Sequence, residues 1–183
     1  MRETFNELIS YLRNPVLEQD PNTDPKYRLK KFFHILVISI ISIGLLTPLL
    51  GLVEASGLVD MENHAVAEMI NQHSKLLVFF YAAILAPLLE EVVFRAPLTL
   101  FKGKTLFRIA FYCFAILFAL VHLSNYTITN NVLILAPILV APQLVLGGYL
   151  GFLRVRFGLG WSILLHATYN GFFICLSFAG LPT

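Results

Sequence analysis

Five long apolar stretches dominate the chain and cover approximately residues 32–53, 76–101, 109–123, 132–153 and 159–178. A helix that crosses a bilayer needs about 20 apolar residues, and only helices or closed barrels satisfy their backbone inside lipid. The mean hydropathy is +0.76 and charged residues make up 13% of the chain, whereas soluble domains carry roughly 25%. These values exclude an ordinary soluble domain. We therefore predict an all-α, polytopic membrane helical bundle with about five transmembrane helices.

The N-terminal stretch has a different pattern. Residues 2–13 place four apolar side chains on one helical face, namely Phe5, Leu8, Ile9 and Leu12. This pattern predicts a short amphipathic helix at the membrane surface. We divide the chain into a cytoplasmic or interfacial segment, residues 1–31, and a membrane-embedded domain, residues 32–183.

Basic residues occur in every second connection between the apolar stretches. They precede the first stretch, separate the second from the third and follow the fourth, and comprise Lys26, Arg28, Lys30, Lys31, Lys102, Lys104, Arg108, Arg154 and Arg156. In the remaining connections the only Lys or Arg is Lys75. Because cytoplasmic loops are enriched in Lys and Arg, we predict a multi-pass protein of the cell membrane with its N-terminus in the cytoplasm and its C-terminus outside.

A small set of polar side chains interrupts the apolar stretches, and ionisable groups inside a membrane mark functional sites. Apart from His34, which lies close to Lys30 and Lys31 and can reach the interface, the set consists of Glu90, Glu91, Arg95, His122, His166 and Asn170. Counting about 1.5 Å per residue from the nearest cytoplasmic basic residue places Glu90 and His166 at depths of about 18 and 15 Å. His122 and Asn170 both lie at about 21 Å on the same count. Similar depths on three helices indicate one shared site.

Helical spacing assigns different surroundings to the two acids. Glu91 and Arg95 are four residues apart, so they face the same side of a helix and can form an ion pair. Glu90 is rotated by about 100° and is left free for chemistry. His166 and Asn170 are also four residues apart. A purely structural alternative is that the ion pair joins helices and each histidine is a satisfied core residue.

The residue types favour activation of water for attack on an amide. A carboxylate can act as a general base, a histidine can carry a second proton or bind a metal, and Asn and His can donate hydrogen bonds to an oxyanion. The chain has no Gly-x-Ser-x-Gly sequence, no His-Glu-x-x-His sequence and no aspartate within an apolar stretch. Serine, zincin-type and aspartyl mechanisms are therefore not supported.

Three motifs on successive helices resemble a known family. Glu90-Glu91-x-x-x-Arg95, Phe118-x-x-x-His122 and His166-x-x-x-Asn170 resemble the CPBP (Abi) family of CAAX proteases and bacteriocin-processing proteins, which includes the type II CAAX prenyl endopeptidases. The resemblance covers roughly residues 76–178. It implies a helical intramembrane protease whose site lies in a cavity open to the cytoplasm or the lipid.

The resemblance also implies a role for each motif residue. Glu90 would activate water with the help of His122, while His166 and Asn170 would stabilise the oxyanion. Glu91 and Arg95 would hold the first motif in position. No obligatory cofactor is expected. If zinc is present instead, its ligands would be Glu90, His122 and His166.

The expected partners are the lipid bilayer and a membrane-associated peptide or protein substrate, with no nucleic acid. The chain has few spans before the first motif, which makes a peptide precursor or a membrane protein a better substrate than a prenylated CAAX protein. One alternative is a non-catalytic membrane protein that confers immunity to a peptide toxin or regulates a partner. Another is an ion or proton carrier that uses the buried acids.

Overall fold

The computed structural model describes residues 1–60 and 65–180, and every regular element in that part of the chain is helical. The α-helices are α1 (Arg2–Arg13), α2 (Pro25–Ala55), α3 (Ala65–Gln72), α4 (Lys75–Phe79), α5 (Ala86–Phe94), α6 (Lys104–Val121), α7 (Asn130–Leu139), α8 (Ala141–Arg156) and α9 (Leu159–Phe178). The prediction of an all-α bundle is confirmed.

Four continuous helical segments among the described residues are long and apolar enough to span a membrane: Pro25–Ala55, Lys75–Leu100, Lys104–Asn125 and Leu159–Phe178. A fifth span results if α7 and α8, which meet at a bend of 41°, count as one. Pro142 lies in the first turn of α8, where a missing backbone N–H costs least. The protein is therefore a multi-pass membrane protein, while its orientation stays a prediction.

The second span changes helix type along its length. After α4, residues Phe80–Leu85 form a π-helical segment, α5 follows, and Ala96–Leu100 form a 3₁₀ turn. Single π-helical turns within α-helices frequently lie at functional sites, because they leave backbone carbonyls without the usual partner. The π-helical segment ends immediately before α5, the helix that carries Glu90 and Glu91.

Helix α1 is present where the sequence predicts it, and it packs into the protein as well as facing outward. Leu8 is completely buried in the main core, whereas Phe5 on the predicted apolar face is 44% exposed. The Tyr112 hydroxyl donates to the carbonyl of Leu12 at 2.7 Å, and Glu7 pairs with Lys31. The helix is thus attached to α2 and α6 by both apolar and polar contacts.

The predicted boundary between residues 1–31 and 32–183 has no sharp counterpart in the helices. Helix α2 begins at Pro25 after an N-cap in which the Asp24 side chain accepts hydrogen bonds from the backbone. Residues 61–64 and 181–183 of the predicted membrane domain lie outside the described residues. The division into two parts therefore stays a prediction.

Close contact between α6 and α8 organises the core. A Cβ atom at Gly151 would lie 2.7 Å from the Phe111 ring, so only glycine allows this approach without movement of the ring. A Cβ at Gly147 would lie 3.2 Å from Phe118 and 3.3 Å from Arg95. Small residues at i and i+4 commonly let membrane helices approach in this way. This packing fixes α8 against the helices that carry the three motifs.

Candidate active site

A cavity of about 590 Å³ opens among the second to fifth spans. Four of the six predicted site residues line it: Glu90, His122, His166 and Asn170. The volume falls within the range of about 300–1,000 Å³ that is typical of ligand sites. Glu91 and Arg95 do not line the cavity but are buried next to it, at 0% and 1% exposure.

Glu91 is the most fully bonded acid of the site. One of its oxygens, Oε1, lies 3.6 Å from Arg95 Nε and 3.1 Å from His166 Nδ1. Its other oxygen, Oε2, accepts a hydrogen bond from the Ser162 hydroxyl. The predicted ion pair with Arg95 is therefore present, and α9 contributes two further partners. Each carboxylate oxygen of Glu91 is satisfied inside the protein.

Arg95 is held by an aromatic ring and by the neighbouring helix. Its guanidinium carbon lies 3.8 Å from the centroid of the Phe118 ring, which is a close cation–π contact. Its Nη2 donates to the carbonyl of Gly147 at 3.4 Å. These contacts explain why glycine occupies position 147, since a larger residue would press on both Arg95 and Phe118.

Glu90 has very different surroundings. It is 28% exposed, and its Oε2 has no hydrogen-bond partner among the described residues. The same oxygen lies 3.6 Å from His166 Nε2, which is too long for a hydrogen bond. His166 therefore lies between two carboxylates, with Nδ1 toward Glu91 and Nε2 toward Glu90. The free acid expected at position 90 faces the cavity.

His122 is fixed in one tautomer by the backbone. Its Nδ1 lies 2.8 Å from the carbonyl oxygen of Phe118, and a carbonyl oxygen can only accept, so Nδ1 carries the proton. The Nε2 lone pair is then available to another group. Phe118 packs edge-on against His122 at 4.8 Å and against His166 at 5.6 Å between ring centroids. One aromatic ring thus positions both imidazoles.

Asn170 joins α9 to the π-helical segment of the second span. Its Nδ2 donates to the carbonyl of Ala82 at 2.9 Å. An amide nitrogen has two N–H groups, so one remains after this bond. The π-helical turn therefore supplies an acceptor that orients Asn170 at the edge of the cavity.

Three further residues support the site or line its cavity and were not predicted as site residues. Ser162 is completely buried and bonds to Glu91, and its spacing of four residues before His166 was a usable signal. Arg154, in the last turn of α8, donates to the carbonyls of Arg95 and Ala96 at 2.9 and 3.2 Å, and its position in the sequence gave no signal of these bonds. Gln143 lines the cavity, and its Oε1 is buried without a hydrogen-bond partner.

Metal binding at this site stays a prediction, and two features of the described residues bear on it. No three His, Cys, Asp or Glu side chains among them are arranged to hold an ion. His166 Nδ1 is directed at Glu91 and His122 Nδ1 at a backbone carbonyl, so the Nε2 atoms are the ring nitrogens that could face an ion, as in histidines whose other nitrogen is anchored. Zinc held by Glu90, His122 and His166 therefore stays a prediction, as does the expectation that no cofactor is obligatory.

Comparison with known proteins identifies the family. The family model described as "Type II CAAX prenyl endopeptidase Rce1-like" matches residues 72–172, which is more than half of the 183 residues. This match includes all six predicted site residues. No curated protein and no solved structure matches the chain significantly. The chain therefore belongs to the Rce1-like family of type II CAAX prenyl endopeptidases, which are membrane proteases.

Proposed function

We propose that the protein is an intramembrane endopeptidase that hydrolyses a peptide bond of a membrane-associated peptide or protein. One observation carries the proposal: Glu90, the acid with an unpaired oxygen, lies in the same cavity as His122, His166 and Asn170. An unpaired buried oxygen is costly and is expected where a ligand or water completes the bonding. Membership of a protease family agrees with this reading.

Glu90 would act as the general base. Its Oε2 is available to accept a proton from a water molecule in the cavity, and the Nε2 lone pair of His122 is available to accept the second hydrogen bond of that water. Glu90 and His122 line the same cavity. A positioned base of this kind contributes typically about 10²–10⁴-fold to the rate.

His166 and Asn170 would stabilise the oxyanion. His166 has Nδ1 toward Glu91 and Nε2 toward Glu90, and an N–H on Nε2 would be one donor to the oxyanion. The remaining N–H of Asn170 supplies a second donor. Preorganised donors of this kind are worth about 2.7–4 kcal/mol each in other hydrolases.

The proposed reaction balances without any further reactant. Glu90 takes a proton from water while the water oxygen forms a bond to the carbonyl carbon. The carbonyl oxygen becomes an oxyanion that accepts hydrogen bonds from His166 and Asn170. As the intermediate collapses, the C–N bond breaks and the amide nitrogen takes the proton from Glu90. The products are a carboxylic acid and an amine, and transfer of the acid proton to the amine gives a carboxylate and an ammonium group.

The test begins with peptides that accumulate in membranes when Glu90 is replaced by Ala. Synthetic versions are then incubated with purified protein, either wild type, Glu90→Ala, His122→Ala or Glu54→Gln. Glu54 is exposed near the end of α2 and serves as the control. We expect cleavage by the wild type and Glu54→Gln only. Wild-type rates in Glu90→Ala and His122→Ala would overturn the proposal and favour a non-catalytic role in immunity or regulation.

A further inference from the structure

One buried polar atom at the cavity is not used by the proposed reaction. Among the described residues, the buried side-chain atoms without a hydrogen-bond partner are Glu90 Oε2, Gln143 Oε1 and one nitrogen each of Arg95, Arg108 and Arg156. The three arginines make other hydrogen bonds through their guanidinium groups, whereas the two oxygens belong to residues that line the cavity. Glu90 is assigned to the water, so the partner of Gln143 Oε1 has still to be found.

The packing of α6 against α8 shows where Gln143 lies. The two helices run antiparallel, because the α6 residue that meets Gly151 is Phe111 and the α6 residue that meets Gly147 is Phe118. Residue numbers thus rise along α6 while they fall along α8. The next turn of each helix in this direction continues the same contact surface.

That next turn carries Gln143 on one helix and His122 on the other. His122 follows Phe118 by four residues, and Gln143 precedes Gly147 by four residues. Residues four apart lie on the same helix face, about one turn or 5.4 Å along the axis. Both side chains line the cavity. Gln143 therefore lies at the level of the histidine that is proposed to hold the attacking water.

The hydrogen-bonding capacity of the cavity identifies the kind of group that Gln143 Oε1 can bind. Three acceptors are available there, namely Glu90 Oε2, His122 Nε2 and Gln143 Oε1. A water molecule has two hydrogens, and the proposed reaction assigns them to Glu90 and His122. The third acceptor needs another donor, because an amide oxygen can only accept. A peptide backbone supplies one N–H donor at every residue except proline.

We propose that Gln143 binds the substrate by accepting a hydrogen bond from a backbone N–H next to the scissile bond. This inference rests on the proposed function and adds a residue that reads the main chain of the substrate. It implies that the substrate lies across α8 with its backbone exposed, and that one position flanking the cleaved bond cannot be proline, which has no N–H.

A series of peptide esters tests the proposal. The parent is a peptide that the wild-type protein cleaves, and in each member one flanking amide, never the scissile one, is replaced by an ester that lacks the N–H. Cleavage of the original amide bond is followed by mass spectrometry. The variants are Gln143→Met, which removes the acceptor at similar length, and Leu146→Met as the matched control. Leu146 lies on the same helix, is 4% exposed and lines the same cavity.

We expect one ester to lower kcat/KM of the wild type about tenfold, because a buried acceptor then keeps no donor. Gln143→Met should cleave the all-amide parent about tenfold more slowly and should distinguish that ester from the amide by less than about twofold. Leu146→Met should discriminate as the wild type does, since a packing change affects amide and ester alike. Equal discrimination by wild type and Gln143→Met at every flanking position would overturn the inference.

Thermal unfolding in mild detergent provides a second measurement that needs no activity. Gln143→Met exchanges an unpaired buried oxygen for an apolar group, so its unfolding midpoint should equal or exceed that of the wild type. A lower midpoint would show that Gln143 has a structural partner and would also count against the inference. If Glu90→Ala cleaves as fast as the wild type, the proposed function itself fails. If the wild type cleaves but every ester is tolerated, the binding role of Gln143 alone is wrong.

Discussion

Replacing each of the paired acids by glutamine should separate a structural role from a chemical one. Glu91→Gln keeps the side-chain shape but removes the charge that faces Arg95 at 3.6 Å. Arg95 is 1% exposed, so its charge would be left buried without its closest counter-ion. Breaking a buried pair by removing one partner costs about 3–5 kcal/mol. That is a large part of a typical stability of about 5–15 kcal/mol.

Glu90→Gln should behave in the opposite way. Glu90 is 28% exposed and its Oε2 has no hydrogen-bond partner to lose, so we expect a stability change below about 1 kcal/mol. Activity should nevertheless fall by about 10²–10⁴-fold because the general base is absent. Unfolding of both purified variants in mild detergent, followed by circular dichroism, measures the first quantity and peptide cleavage the second.

A double variant makes this test sharper. Removing both charges with Glu91→Gln and Arg95→Gln leaves no unpaired ion, so the combined loss should be smaller than the sum of the two single losses by at least about 1 kcal/mol. Equal stability of Glu90→Gln and Glu91→Gln, or strictly additive losses in the double variant, would refute the assignment of Glu91 to structure and Glu90 to chemistry.

The remaining predictions concern packing, hydrogen bonding and metal. Ser162→Ala leaves a carboxylate oxygen unpaired, so the free energy of unfolding should fall by about 1–3 kcal/mol. Ser39 is equally buried but bonds only to a helix carbonyl, so Ser39→Ala should change the free energy of unfolding very little in the same assay. Gly151→Ala places a methyl group against the Phe111 ring and should destabilise by about 1–3 kcal/mol. Gly44→Ala, with nothing within 4 Å, should not destabilise, and similar losses in both glycine variants would contradict the packing argument. Dialysis against a chelator should leave the cleavage rate unchanged, and a loss that zinc alone restores would show that a metal takes part.

Local sequence rules predicted those features that lie within one helix. The apolar stretches appear as spans, and the spacing of Glu91 and Arg95 produced the observed ion pair. The basic connections, read together with helix rise, placed polar residues of three helices at similar depths, and four of them line one cavity. These inferences needed only the helical period and rise.

Features that depend on how helices are rotated and displaced relative to one another were not predictable in the same way. The position of His166 between two acids requires a particular alignment of α5 and α9. Arg154 reaches the end of α5 across a helix boundary, and the acceptor for Asn170 arises from a π-helical turn. Each of these is a tertiary contact between residues far apart in the sequence, for which spacing within a helix carries no signal.

The arrangement of partners explains how an apolar bundle tolerates so many ionisable groups. Glu91 has three partners: it pairs with Arg95 and with His166, and it accepts a hydrogen bond from the Ser162 hydroxyl. Two buried oxygens at the cavity, Glu90 Oε2 and Gln143 Oε1, have no hydrogen-bond partner among the described residues, and neither do three arginine nitrogens away from it, Arg95 Nη1, Arg108 Nε and Arg156 Nε. Because polar groups inside a membrane are costly when unpaired, the bonds to Glu91 stabilise the fold, and the two unpaired oxygens at the cavity are left for a water molecule and a substrate. The helices that pack around Glu91 therefore also position these two oxygens.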